Sequence, residues 1–209
     1  MSFIATDKVA TLLYLRDCPV RPIPTVRLAT GRESAAPYRD PQALLEGFEY
    51  PLIVKPVAWG GGMGVCVAKT PDDLYSLVSL ASGIGCTLAV QPYLGAETVD
   101  YRVFFVDGVP HTTLLRRPMR SAYVGNAAQG GQVSIVDLPE ALAETAGYLS
   151  EKFPIPYFAV DFLHDGERFW LSEVEPDGGH GNYVQDATGL LQARFHAYAA
   201  AQEKFLAAR

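Results

Sequence analysis

The segment 50–69 reads YPLIVKPVAWGGGMGVCVAK and places a glycine-rich loop between two apolar runs. These runs are rich in β-branched residues and predict the two strands of a hairpin. A Walker loop would end in Gly-Lys-Ser/Thr, and a dinucleotide-binding loop would open a helix, so neither motif fits. The bare backbone N–H groups of such a loop can fold over phosphates, and Lys55 supplies a cation beside them. The segment predicts a phosphate-binding flap, or alternatively a plain flexible hairpin loop with a solvated lysine.

Helices and strands interleave on both sides of this hairpin. Helices are predicted over 6–17 (capped by Thr6), 41–47, 71–81, 138–152 and 186–207. Strands are predicted over 24–29 and 87–93, and antiparallel hairpins over 99–116, turning at Asp107-Gly108, and over 157–175. A long loop is expected over 117–132, where the sequence is rich in Gly, Arg, Asn and Ala. Interleaved helices and antiparallel strands predict an α+β fold.

The composition excludes several classes of partner. The chain has 209 residues, of which 17 are Lys or Arg and 23 are Asp or Glu, so the formal net charge is −6. This acidic excess argues against nucleic acid and against an anionic membrane, since both attract a basic surface. The three cysteines, Cys18, Cys66 and Cys86, form no CxxC pair, and no signal segment or membrane span is evident. We therefore expect a cytoplasmic globular protein.

The hairpin 157–175 carries three acids. Glu173 and Glu175 share one face, because side chains alternate along a strand. A reversal with an odd number of loop residues centred near Glu167 would place Asp161 opposite Glu173, whereas a two-residue turn would place it on the other face. Converging carboxylates repel one another unless a cation lies between them, and hard oxygen ligands suit Mg²⁺. The pattern predicts a magnesium site, and the alternative is an acidic edge that faces solvent.

In their order and spacing, these segments resemble the ATP-grasp superfamily, in particular its RimK-like ATP-dependent carboxylate–amine ligases. The matching motifs are TDK at 6–8, LIVKP at 52–56 with the glycine flap, VQPYL at 90–94, ETVDYRVFFVDG at 97–108, LLRR at 114–117, NAAQGG at 126–131, VDF at 160–162 and SEVEPDGG at 172–179. The resemblance runs over nearly the whole chain. It implies an ATP-grasp fold in which ATP lies between two α+β subdomains, about 1–92 and about 93–209.

The resemblance also implies roles for individual residues. The ATP phosphates would contact Lys8, Lys55 and the flap glycines Gly60, Gly61, Gly62 and Gly64. Adenine would be bound by Gln91, Tyr93 and Leu94, and ribose by Glu97 or Asp100. One or two Mg²⁺ ions, with Mn²⁺ as a substitute, would be held by Asp161, Glu173 and Glu175, and the reacting groups would lie near Arg102, Arg116 and Asn126.

The reaction that the resemblance implies begins with phosphorylation of a carboxylate by Mg-ATP. An amine then attacks the acyl phosphate and forms an amide or peptide bond. The substrates would be small-molecule, peptide or carrier-bound carboxylates and amines. Two alternatives are an ATP-grasp-type small-molecule kinase and a non-catalytic nucleotide-binding or interaction module.

The chain departs from the family pattern at three places. Glu175 stands where the family usually has Asn, and Pro92 stands where the family has Glu. The family also has a further N-terminal domain before the helix that carries Lys8. We therefore expect either that a partner protein or a second copy of the chain completes the site, or that the chain acts on a large substrate that closes it.

Overall fold

The computed structural model describes residues 7–28, 41–118, 132–179 and 187–208. Thr6, Asn126 and the NAAQGG motif lie outside the described residues. The helices are α1 (Lys8–Tyr14), α2 (Pro71–Gly83), α3 (Ala143–Lys152) and α4 (Ala187–Ala207), with short 3₁₀ turns at Pro41–Leu44 and Glu140–Leu142. The strands are β1 (Val26–Leu28), β2 (Leu52–Pro56), β3 (Cys66–Ala68), β4 (Leu88–Pro92), β5 (Val99–Val106), β6 (Val109–Arg117), β7 (Gln132–Val136), β8 (Tyr157–His164) and β9 (Phe169–Glu175).

The strands form two antiparallel sheets, which confirms the predicted α+β class. The first sheet has the order β1-β4-β2-β3 and the second has the order β7-β6-β5-β8-β9. Both predicted hairpins of the second sheet are present, and the first of them turns at Asp107 and Gly108. Strand β7 was not predicted. Most of its residues are exposed, so its sequence, QVSIV, lacks the regular apolar alternation that marks a half-buried strand.

Asp7, and not Thr6, caps the first helix. Its side chain accepts hydrogen bonds from the backbone N–H groups of Val9 and Ala10 at 2.9 and 3.0 Å, and Arg27 of β1 binds the same carboxylate at 2.7 Å. The helix ends at Tyr14, before the predicted end at residue 17. The cap and Arg27 together fix the start of the helix, and therefore Lys8, against the first sheet.

Each sheet packs its own apolar core. The first sheet buries Leu52, Val54 and Val90 beneath α2. On one face of the second sheet, the core contains the following buried residues from α1, the segment after it, β5, α3, β8 and β9: Leu12, Leu15, Ile23, Val103, Phe105, Leu142, Leu149, Phe158, Val160, Phe162, Leu171 and Val174. The first residues of the chain that the structure describes therefore pack on the second sheet, although they precede the first sheet in sequence.

None of the helices in the described part of the chain combines the length and the apolar character that a membrane crossing requires.

Candidate active site in the cleft between the sheets

A cleft that is open to solvent lies between the two sheets. Ile53 and Lys55 of β2 and Gln91 of β4 line it from the first sheet; they alternate with the core residues Val54 and Val90, so they point to the opposite face. The second sheet contributes the following polar residues: Asp100, Arg102, Arg116, Asp161, Ser172, Glu173 and Glu175. Lys8 and the glycine flap complete the lining.

The polar residues of the second sheet share one face because of the strand register. Arg102 lies directly opposite Asp161 on β8, and Asp100 lies opposite Arg116 on β6. Directly opposed residues of antiparallel strands project to the same side. The neighbouring positions Val103 and Val160 project to the other side, into the core. Alternation along β5 and β8 therefore places these charged residues on one face of the sheet and Val103 and Val160 on the other.

Asp161 lies opposite Glu173, but for a different reason from the one predicted. His164 pairs with Phe169, so the hairpin loop has an even number of residues, 165–168. The register then shifts between Phe162, which pairs with Leu171, and Asp161, which pairs with Glu173. Ser172 is the extra residue of this β-bulge. One oxygen of each acid, Asp161, Glu173 and Glu175, lies within 4.8 Å of the others.

Arg102 holds the acids at the centre of the cleft. Its Nε and Nη2 atoms each lie 2.7 Å from an oxygen of Asp161, a bidentate pair, and Nη2 also lies 3.1 Å from Glu175. Its Nη1 donates to the carbonyl of Gly179 at 3.1 Å. Burial disfavours the charge on Asp161, but Arg102 and Arg116 outweigh it and hold the pKa of Asp161 well below its usual range. Asp161 is therefore ionised at neutral pH.

Arg116 joins a second acid to this network. Its Nη2 lies 2.5 Å from Asp100 and 2.9 Å from Asp161. Burial raises the pKa of Asp100 to about 6, although the guanidinium of Arg116 opposes that change. Within the described residues, Oδ1 of Asp100 and Nε of Arg116 are buried and have no hydrogen-bond partner. A buried donor without a partner is costly, so Nε of Arg116 is unsatisfied in this arrangement.

The two lysines, Lys8 and Lys55, line the same cleft as the acids. Nζ of Lys8 lies 2.8 Å from Glu173 and donates to the carbonyl of Trp59, at the start of the flap, at 2.5 Å. Lys55 is only 8% exposed, which excludes the solvated lysine of the alternative reading. Desolvation lowers the pKa of Lys55, and the charge of Glu173 opposes that change.

The flap glycines divide into two groups. Gly60, Gly61 and Gly62 line the cleft, so their backbone faces the space that a ligand would fill. Gly64 is not among the lining residues in the described chain. It has φ +71°, and a Cβ built on it would lie 2.8 Å from Cγ of Pro56. Gly64 therefore brings the flap back onto β2.

The segment after β4 crosses from the first sheet to the second along one wall of the cleft. Gln91 is buried and donates from Nε2 to Oγ1 of Thr25 at 2.9 Å, and Tyr93 donates its backbone N–H to Pro51 at 3.3 Å. Leu94 lines the cleft, whereas Glu97 is exposed and is absent from the lining in the part of the chain that the structure describes.

Sequence reasoning missed several lining residues. Ile23, Ile53 and Leu163 give the cleft an apolar wall, and Ser172 lies beside the acids. Nothing in their sequence environment distinguishes them from core residues, since each lies in an ordinary apolar or alternating run. The carbonyl of Trp59 was also missed, because backbone acceptors carry no sequence signal.

Comparisons with known proteins agree with this architecture. A family model described as the RimK-like ATP-grasp domain matches residues 5–188. A probable alpha-L-glutamate ligase of Shewanella halifaxensis is 27% identical over 141 residues, which cover 67% of this chain and 31% of the relative. A D-alanine–D-alanine ligase of Nitratiruptor is 24% identical over 198 residues, covering 88% of this chain and 54% of the relative.

Solved structures give the same fold. The ATP complex of the D-alanine–D-alanine ligase of Bacillus anthracis superimposes with a TM-score of 0.70 at 18% identity, covering 96% of this chain and 68% of that one. The chain thus spans from about a third to about half of the length of the curated relatives above. The family match covers most of the sequence, and two sheets enclose a cleft with the expected lysines, glycines and acids: the chain belongs to the RimK-like ATP-grasp family.

Proposed function

We propose that the chain is the nucleotide-binding part of an ATP-dependent carboxylate–amine ligase. The observation that carries this proposal is the convergence of Lys8, Lys55, the flap glycines and the three acids of β8 and β9 in one cleft. Cations and donor-rich backbone suit a polyphosphate, and the acids suit its metal. The names of the relatives, alpha-L-glutamate ligase and D-alanine–D-alanine ligase, favour this class of reaction.

The adenine ring would lie against the apolar wall of the cleft. Ile23, Ile53 and Leu163 can contact a planar ring, and the backbone N–H of Leu94 can donate to it, since Pro92 has no N–H and that of Tyr93 donates to Pro51. Asp100 lines the cleft but is paired with Arg116, whereas Glu97 is exposed outside the lining, so both stay candidates for the ribose hydroxyls.

Asp161, Glu173 and Glu175 would hold Mg²⁺. Mg²⁺ keeps its oxygens at about 2.1 Å, so neighbouring and opposite ligands of one octahedral ion lie about 3.0 and 4.2 Å apart. Oxygens within 4.8 Å of one another would draw closer together to share one ion. When bound, the metal would neutralise charge on the phosphates. Arg102, through its bidentate pair, keeps Asp161 oriented toward that position.

The two arginines would then serve different purposes in the reaction. Transfer of the γ-phosphoryl group to a carboxylate gives ADP and an acyl phosphate, and attack by an amine releases phosphate. Arg116, which lines the cleft, would stabilise the charge on the transferred group, whereas Arg102 acts by positioning Asp161. Asn126 remains a candidate for the reacting carboxylate.

The remaining assignments concern the surroundings of the site. We divide the chain near residues 92 and 93, where the strands of the first sheet end. The substrates would be small-molecule, peptide or carrier-bound, and a partner protein or second copy would complete the acceptor side. The compartment would be the cytoplasm.

Thermal unfolding with and without Mg²⁺ and a non-hydrolysable ATP analogue tests the nucleotide site. At about 100 times Kd, binding adds about 2.7 kcal/mol, which raises Tm by roughly 5–10 °C. We expect this shift in the wild type and in Lys69→Ala, an exposed lysine outside the cleft, and its loss in Lys55→Ala. An equal shift in both variants would contradict the site.

The reaction class needs a second measurement. Release of ADP, together with trapping of an acyl phosphate by hydroxylamine, distinguishes a ligase from a kinase, which would leave a stable phosphate ester. Nucleotide binding without turnover across a panel of carboxylates and amines would indicate a non-catalytic module.

A further inference from the structure

The charges in the cleft balance one another without a ligand. Four carboxylates face it, those of Asp100, Asp161, Glu173 and Glu175, and four basic side chains face them, those of Lys8, Lys55, Arg102 and Arg116. An ion that enters a site whose acids are already paired gains little net attraction while it loses hydration. The acid cluster alone is therefore a poor site for a free divalent cation.

We propose that Lys8 occupies the place of the metal on Glu173 in the nucleotide-free protein, so that a divalent cation binds only when a polyphosphate draws Lys8 away. This inference rests on the proposed nucleotide and metal sites and adds a rule for their order of binding. The ion pair between Lys8 and Glu173, at 2.8 Å, is the contact that must break.

Lys8 is the cation best suited to leave. It holds Glu173 through one ammonium group, and its other contacts are the backbone carbonyls of Trp59 and Val57. Arg102, by contrast, is fixed by two parallel bonds to Asp161 and by the carbonyl of Gly179. A lysine is a point charge on a flexible stem, whereas a bidentate arginine is held in one orientation.

The exposure of the acids also indicates that Lys8 and an entering cation compete for the same place. The side chain of Glu173 is 19% exposed and that of Glu175 is 25% exposed, against 11% for Asp161. A cation would therefore reach the cluster at the two glutamates, where it meets the ammonium group of Lys8. The two positive charges compete for the same oxygens, and polyphosphate removes the competition because it pairs with Lys8. Coupling of this kind is reciprocal, so the metal also strengthens nucleotide binding.

Because Lys8 also binds the carbonyl of Trp59, the same exchange acts on the flap. While Lys8 bridges Trp59 and Glu173, it joins the start of the flap to the second sheet. Movement of the ammonium group onto a phosphate releases this bridge at the moment when the flap glycines gain a ligand to cover.

Calorimetric titration of the nucleotide-free protein with Mn²⁺ tests the proposal. We expect wild type and Lys204→Met, which removes an exposed lysine from α4, to bind Mn²⁺ weakly, and Lys8→Met to bind it at least tenfold more tightly. Lys8→Gln, which can still donate to Trp59, should show the same gain. Adding Glu173→Gln to Lys8→Met should abolish it.

The outcomes separate this inference from the function on which it rests. If folded Lys8→Met and Lys8→Gln bind Mn²⁺ no more tightly than wild type, the exchange is wrong, even where wild type binds the ATP analogue in a Mn²⁺-dependent manner. If the Lys8 variants gain Mn²⁺ affinity but wild type binds no analogue with Mn²⁺, the exchange of cations stands and the proposed function fails.

Discussion

Gly64 shows how one residue determines the path of the flap. An alanine there would meet Pro56 at 2.8 Å and hold φ +71°, which costs a residue with a Cβ about 1–3 kcal/mol. We expect Gly64→Ala to lower Tm and weaken binding of the ATP analogue, whereas Gly60→Ala, with no atom within 4 Å of the added Cβ, leaves Tm nearly unchanged. Equal Tm values for the two variants, measured by calorimetry, would contradict this role of Gly64.

The identity of the charged residues was easier to predict than their pairing. Lys55 and the three acids stand out in the sequence, and the structure brings them into one cleft. That Arg102 would hold Asp161 could not be predicted, because it depends on β8 lying beside β5 although 50 residues separate the two strands in sequence. Sheet order is a property of the whole fold and leaves no local pattern.

At the scale of elements, the hairpin of β8 and β9 shows where a local prediction fails. The prediction required an odd number of loop residues between β8 and β9, and this was wrong, although Asp161 does lie opposite Glu173. The odd residue lies at the bulge, Ser172, and not in the loop, where Asp165 accepts hydrogen bonds from the N–H groups of Glu167 and Arg168 at 2.9 Å. This Asx turn closes a compact loop of four residues. The register between β8 and β9 therefore shifts at the bulge within β9 and not in the loop.

Helix α1 presents Lys8 to the cleft, and its cap determines where that lysine lies. Loss of an N-cap typically costs about 1 kcal/mol. We expect Asp7→Ala to lower both stability and affinity for the ATP analogue. The matched control is Asp73→Ala, which removes the capping box of α2 and should lower stability alone. Calorimetry measures the stability of each variant, and titration with the ATP analogue measures its affinity. Unchanged affinity in Asp7→Ala would show that the position of α1 does not affect nucleotide binding.

At the scale of the whole molecule, α1 packs on the second sheet, the chain then forms the first sheet, and it then forms the strands of the second sheet. Leu12 of α1 and Leu15, which directly follows the helix, are buried in the core of the second sheet, although β1 to β4 of the first sheet follow them. The strands of the first sheet end at Pro92 and those of the second begin at Val99. The position of α1 was not predicted, because an amphipathic helix does not indicate which sheet it covers.

This arrangement predicts one unfolding transition instead of two. Leu15→Ala should destabilise the protein by about 2–5 kcal/mol, since a buried leucine is truncated, and should lower the midpoint for both sheets together. Leu13→Ala in α1 is the control, because Leu13 is 64% exposed. Two separate transitions by calorimetry would show that the sheets unfold independently.

The same path has a consequence during synthesis. The apolar face of α1 leaves the ribosome before β8 and β9, which cover it and follow roughly 150 residues later. At about 5–20 residues per second, that delay is roughly 8–30 s. For this interval the apolar side chains of the nascent segment, Leu12 and Leu15, lack the two strands that complete their core in the folded protein.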